Sequence, residues 1–235
     1  MTYQEENQNQ EQTKMIYEEL VKLSDDEKRM VLPRFFKTGK GEYGEGDKFI
    51  GVIVPNVRSV AKIHKDCSLD IVAELLENQW HECRLCALLI LREKFTKSPD
   101  SIVDFYLAHT KGINNWDLVD LSAPYILGEY LIIEQGSRQK SAKDQRGRKI
   151  LYELAESEIM WERRIAVVST LMLIRHNQCD DTIQLAEKLL DEKHDLMQKA
   201  IGWMLREVGK RDEATLKAFL GKHCTKMPRT MLRYA

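Results

Sequence analysis

The 235-residue sequence has little of what several protein classes require. Glycine (12) and proline (5) are scarce, which excludes collagen-like and Gly-rich designs and argues against an all-β fold with its many turns. Five cysteines, at 67, 83, 86, 179 and 224, form an odd, scattered set. They read as reduced thiols rather than a disulfide framework. No run of 18 apolar residues exists, a prominent short one running only from Cys86 to Leu91, so no membrane partner is expected. The first six residues are polar and acidic and match neither a secretory signal nor an Arg-rich transit peptide, so the expected location is the cytoplasm. An excess of either charge is also missing. Lys and Arg number 36 against 37 Asp and Glu, a net charge of −1, and the total lacks the basic signature common among nucleic-acid binders.

What is present is the composition of a globular protein, 43% hydrophobic and 31% charged, on a chain able to bury roughly 70% of its unfolded surface. Residues 1–13 are rich in Gln, Glu and Asn and read as a flexible lead to a single domain over 14–235. From there helical signals dominate. Ser24-Asp25-Asp26-Glu27 has capping-box spacing, and Ser98-Pro99-Asp100 sets an N-cap, a first-turn proline and an acid before Ile102. Apolar residues recur at three and four spacing, as in Ile71, Leu75 and Leu76, or Ile183, Leu185, Leu189 and Leu190. About twelve helices are predicted, with Thr38 to Gly51 a loop or short hairpin.

Three segments look alike: Glu82 to Ala87, Glu162 to Val167 and Met197 to Gly202, each with a basic residue opening an apolar run. Arg84 and Arg164 lie 80 residues apart, and Arg164 and Lys199 lie 35 apart. A missing copy near residue 120 falls on Trp116 to Ala123. Periods of about 35–47 residues with two helices each belong to HEAT and armadillo repeats, which bury their apolar faces by stacking. The predicted fold is therefore an all-α, superhelical solenoid of HEAT-like or armadillo-like repeats, an all-α bundle being the competing form.

In such a stack, Arg84, Asp120, Arg164 and Lys199 would form a row. Trp116 precedes Asp120 by four, Trp161 precedes Arg164 by three, Trp203 follows Lys199 by four, and Trp80 precedes Arg84 by four. Those spacings share a helix face. Tryptophans at helical spacing are more often core, and Asp120 paired with Arg164 could simply align neighbouring repeats. The residues alone leave that structural reading open. Pro124 lies four after Asp120, so it lacks the N–H that would bond the Asp120 carbonyl, and its ring crowds that carbonyl. A kink beside the acid is expected.

Trp116-Asp117-x-Val119-Asp120-x-x-x-Pro124-x-x-x-Gly128 resembles the central motif of the AlkD-type alkylpurine DNA glycosylases, which are HEAT-like-repeat proteins. Trp161-x-x-Arg164 resembles that family's next functional position, and Gln198-Lys199-Ala200-Ile201-Gly202-Trp203-x-Leu205-Arg206-Glu207 its third. Phe49-Ile50-Gly51-Val52-x-x-Pro55-x-x-Arg58 is similar to the segment entering its second repeat. The resemblance runs from about residue 30 to 215. It implies Asp120 as the catalytic carboxylate, Trp116 and Trp203 as aromatics at the lesion, and Arg164 as a DNA-backbone contact near it. Trp161, Lys199, Arg206 and Arg84 join them as candidate lesion or DNA contacts.

By this resemblance the reaction is hydrolysis of the N-glycosidic bond of positively charged 3- and 7-alkylpurines in duplex DNA, without flipping the base into a pocket, unlike most glycosylases. The residues can support it. Tryptophan faces favour nearby cations by about 0.5–2 kcal/mol each, and a fixed carboxylate stabilises the oxocarbenium-like charge that grows on the deoxyribose. The same carboxylate can orient the attacking water, and Arg164 would favour its ionised form. No metal or organic cofactor is called for, and a monomer is expected.

The sequence also departs from the pattern. Asn115 stands where some members carry a second tryptophan, which thins the expected aromatic cluster. The connection Phe36 to Asp47 is longer than in the best-studied members, and its Lys37, Lys40 and Tyr43 fit a DNA contact and a solvated loop equally well. Phe35 or Phe36 would add an aromatic, with core packing the stronger role. Cys83-x-x-Cys86 has no second Cys/His pair at finger spacing, the six histidines show no ligand spacing, and Gly39-x-Gly41-x-x-Gly44 opens no βαβ unit. Two rival functions stand beside the glycosylase: a non-catalytic binder of unusual DNA structures and a HEAT-type interaction scaffold. The charge distribution favours DNA. Residues 1–29 hold eight acids against four bases, leaving the remainder at +3. Ser137 to Lys149 carries six bases and one acid, and the stretch from Gly221 carries four bases and none. Such clusters suit phosphates, with binding that weakens as salt rises.

Overall fold

The computed structural model describes residues 3–136 and 147–235. Among them every regular element is helical, apart from one isolated parallel bridge between Lys48 and Trp80. The class is all-α, built of helical repeats, as expected. The basic residues Arg138, Lys140, Lys143 and Arg146 of the first cluster lie outside the described residues. Chain contacts divide the protein into two compact units that part between Leu118 and Val119.

The first unit holds α1 (Tyr3–Lys22), α2 (Asp26–Phe35), α3 (Val54–Ile63), α4 (Leu69–Leu76), α5 (His81–Phe95), α6 (Pro99–Ala108) and the opening turn of α7 (Trp116–Ala123). Helix α1 reaches back to Tyr3, into the stretch read from sequence as a flexible lead. Its Ile16 and Leu20 are buried, and Thr13 Oγ1 donates to Glu74 of α4 at 2.5 Å. Helix α5 packs against α1, α3, α4 and α6. It is apolar on nearly all sides, and every residue from His81 to Leu91 is buried, the pattern of a helix inside a core.

The second unit continues α7 through a π-helical turn (Pro124–Gly128) into α8 (Glu129–Gly136). There follow α9 (Lys149–Ala155), α10 (Met160–Arg175), α11 (Asp180–Lys188), α12 (Asp195–Arg211), α13 (Glu213–His223) and α14 (Arg229–Tyr234). Helix α10 is its α5, buried from Arg164 to Ile174 and packed against α8, α9, α11, α12 and the π-turn. The expected kink at Pro124 takes the form of that wide turn, in which the ring's missing donor is absorbed by a longer hydrogen-bond loop.

Local signals succeeded unevenly. Helix α6 starts at Pro99 as predicted, although Ser98 makes no side-chain cap bond. The capping box at Ser24 is corrected: α2 is capped one residue later, by Asp25, whose side chain accepts from Lys28 N at 2.9 Å. The Asp25 N–H donates to the Gly51 carbonyl at 3.0 Å, which holds Asp25 extended and delays the first helical residue to Asp26. Residues 38–51 form turns and loop with no hairpin.

Candidate DNA-lesion site

The sequence row falls at equivalent helix positions. Arg84 is the fourth residue of α5, while Asp120, Arg164 and Lys199 are the fifth residues of α7, α10 and α12. A residue there stands just inside the helix start, where the chain enters from the preceding loop.

In the second unit, Arg164 and Asp120 form a two-pronged ion pair. Arg164 Nε donates to Asp120 Oδ1 at 3.0 Å and Nη2 to Oδ2 at 2.9 Å. The remaining terminal nitrogen, Nη1, donates to the Leu196 carbonyl at 2.5 Å, in the first turn of α12. One guanidinium thus ties α7 to α12 from α10. The planar fork matches a carboxylate in a way an ammonium cannot. The pair is asymmetric in exposure: the Arg164 side chain is 6% accessible and that of Asp120 19%. The acid therefore keeps a face toward solvent while its partner is enclosed.

Neighbouring side chains brace the loop before α12. Arg163 donates to the Ser157 and Glu158 carbonyls and to Glu192 Oε2. Burial opposes the Glu192 charge, but amide donors from His194 and Lys193 together with Arg163 hold its carboxyl below the ordinary range. Trp161 is half-buried. Lys199 pairs with Asp195 at 2.6 Å. Trp203 is half-buried and donates from Nε1 to Glu207 Oε1 at 3.2 Å. The exposed Arg206 lies with Cζ 6.0 Å above the Tyr234 ring. Gly202 lets α14 lie against α12, since a Cβ there would collide with the Met231 carbonyl. Lys222, Lys226, Arg229 and Arg233 are all exposed.

In the first unit, Trp116 opens α7 above an aromatic stack. Its ring lies 5.4 Å from Phe36 at 20°, and Phe36 lies 4.9 Å from Phe49 at 18°. Phe35, 60% exposed, meets Trp116 edge-on at 6.1 Å. Phe36 is buried and takes the core role, whereas Phe35 is open. Trp80 stacks on Tyr17 at 6.3 Å. Arg84 is buried, its guanidinium bonded to Asp47 Oδ1 at 2.6 Å and the Asn78 carbonyl at 2.8 Å.

Behind the stack lies a polar cluster. His81 Nε2 bonds Asp117 Oδ2 at 2.8 Å, and its Nδ1 faces Asp47 Oδ2 at 3.4 Å. Burial works against the imidazolium, but the charge and hydrogen bond of Asp117, with the Asp47 bond, raise its pKa to about 9. Burial also opposes the Asp47 charge. Its bond to His81 and the nearby Arg84 nevertheless hold that carboxyl below the ordinary value. Glu82, the next residue, accepts the amides of Ile50, Gly51 and Val52 at 2.8–3.1 Å, which fixes the loop carrying Phe49.

The sequence model of the DNA alkylation repair enzyme family matches residues 16–235. The chain belongs to that family. None of the curated proteins compared matches it. Among solved structures it is similar to a "Predicted DNA alkylation repair enzyme from Enterococcus faecalis", with a TM-score of 0.70 at 16% identity over 90% of this chain and 94% of that one. At that identity the likeness speaks for the fold.

Membership in the DNA alkylation repair family places the chain in alkylation repair. Of its sequence-predicted residues, Asp120 and Arg164 are brought into direct contact, and Trp116 stands one helical turn before Asp120 on α7. Arg84 and Arg164 are enclosed rather than presented on the surface, because each has found a carboxylate and a carbonyl inside the protein. Sequence reasoning missed Asp47, His81 and Asp117. Their partners are 34 and 36 residues apart, beyond any local spacing rule.

Proposed function

We propose that this protein is a monofunctional DNA glycosylase that removes positively charged N3- or N7-alkylated purines from duplex DNA in base excision repair, acting as a cytoplasmic monomer. The observation that carries the reading is the Asp120 carboxylate, oriented by both prongs of a buried arginine yet still open on one side. A carboxylate that need not reorganise when charge develops is what an oxocarbenium-like transition state rewards.

In this mechanism the bond between C1′ and the purine N9 breaks, and its electron pair passes to the purine and neutralises the alkylated ring. Positive charge moves to C1′ and the ring oxygen, opposite Asp120. Water then adds at C1′ and releases a proton, leaving free alkylpurine and an abasic site. With both oxygens accepting from Arg164, the contribution of Asp120 is electrostatic. By the resemblance, Trp116 and Trp203 are the aromatics that would favour the cationic base, by about 0.5–2 kcal/mol each.

Asp120→Asn is expected to slow release of 7-methylguanine from alkylated duplex roughly 10²- to 10³-fold while leaving DNA affinity nearly unchanged. A release rate equal to wild type removes Asp120 from the mechanism. Binding by the wild type without release would instead favour the binder of unusual DNA structures, and neither binding nor release the scaffold.

A further inference from the structure

The two departures from the AlkD pattern meet inside the first unit. Asn115, where some members carry tryptophan, is fully buried and donates from Nδ2 to Asp47 Oδ2 at 3.2 Å. Asp47 is the residue that closes the lengthened loop. Asn115 Oδ1 also accepts the Trp116 N–H at 2.8 Å, so the start of α7 is tied to the loop through Asn115. The next residue but one, Asp117, is bound by His81, and its other oxygen, Oδ1, is buried without a hydrogen-bond partner. His81 is thus the partner that compensates that buried acid.

Both nitrogens of His81 face carboxylates. A neutral imidazole has one donor and one acceptor, so one carboxylate would meet a ring lone pair. Only the imidazolium donates to both. The ring also stacks on Phe49 at 4.7 Å and lies 5.0 Å from Phe36, and Phe36 is the surface on which Trp116 rests. The charged groups around His81 are Asp47 on the loop, Asp117 on α7, and Arg84 and Glu82 on α5 itself.

We infer that His81, held as an imidazolium between Asp47 and Asp117, is a positioning residue that fixes the start of α7 and the seat of Trp116. The lengthened loop delivers one of its two anions. The catalytic consequence rests on the glycosylase reading; the seat of Trp116 does not. Deprotonation of His81 sets a bare nitrogen against a carboxylate, and the first turn of α7 loosens with the stack beneath Trp116.

The test begins with the full wild-type chain, followed by NMR from pH 6 to 10. The reporters are the His81 ring and the Trp116 indole N–H, each assigned by its loss in His81→Gln or Trp116→Phe. His81 is expected to titrate near pH 9, with the Trp116 indole moving over the same range. Titration of His81 near 6.5, or a Trp116 signal that stays fixed while His81 titrates, overturns the inference. In parallel, His81→Gln and Asp47→Asn are assayed for 7-methylguanine release. The rate should fall roughly ten- to hundredfold, the scale of a small misplacement, with DNA affinity within about twofold. Unchanged release in both variants, from an active wild type, overturns the positioning role. An inactive wild type overturns the glycosylase reading alone, and the NMR titration still decides the seat.

Discussion

Arg164 shows how much one side chain can settle. Its three nitrogens are committed to Asp120 and to the Leu196 carbonyl, so its charge orients the acid from behind. Arg164→Lys keeps the charge and loses the fork. Its expected effect is a fall in 7-methylguanine release of about tenfold, with DNA affinity and the salt dependence of binding unchanged, measured by single-turnover release beside salt-titrated binding. A phosphate-gripping arginine would show the opposite, with weaker binding and single-turnover release at saturating protein unchanged. The pairing of Asp120 with Arg164 was legible in the sequence as the alignment of neighbouring repeats. Its two-pronged geometry was not, because that depends on how far the α10 start is offset from α7, which no spacing encodes.

At the scale of elements, the passage from α7 to α8 carries most of the design. Pro124 removes the donor that would have bonded the Asp120 carbonyl, and the helix answers with a π-turn ending at Gly128. There α10 comes close: a Cβ on Gly128 would stand 2.5 Å from the Ser169 carbonyl, and Ser169 Oγ donates to the Ala123 carbonyl at 3.3 Å. Gly128→Ala must push backbone against backbone. It should cost about 1–3 kcal/mol, read as a lower urea midpoint with unchanged slope. The helical class and the Pro124 break were legible because three-and-four spacing and a missing N–H are local facts, whereas the count of about twelve helices fell short of the fourteen among the described residues. The Asp25 cap was not, since Ser24 and Asp25 are both good caps and the choice is made by a bond to Gly51, 26 residues away.

For the whole molecule, the His81 cluster sets a pH dependence of stability. A histidine whose folded pKa is raised from 6.5 to about 9 stabilises fully below 6.5, and that contribution fades as pH rises through 9. Its loss across the window is on the order of 3 kcal/mol. The urea midpoint should therefore fall between pH 6.5 and 9, and the fall should vanish in His81→Gln; a flat wild-type profile contradicts the assignment. Above 9 the buried thiols, whose pKa values are raised as well, add a loss of the same sign. This cluster was invisible in the sequence because its members come from the loop, α5 and α7, and no one of them is unusual beside its own neighbours. Net charge was the least informative number: a total near zero conceals the exposed basic residues from Lys222 onward.

The five cysteines, first met as an odd and scattered set, have a meaning of their own in alkylation repair. The electrophiles that methylate purines also attack thiolates. Cys83 and Cys86 lie fully buried in α5, and burial holds both as thiols, Cys83 with a pKa pushed up to about 12. Only the deprotonated form is the strong nucleophile. The interior of α5 is closed to self-methylation twice over, by enclosure and by protonation. Cys224, exposed after α13, and the half-buried Cys179 are the more open of the five, so the thiols within reach of such electrophiles are these two rather than those of α5.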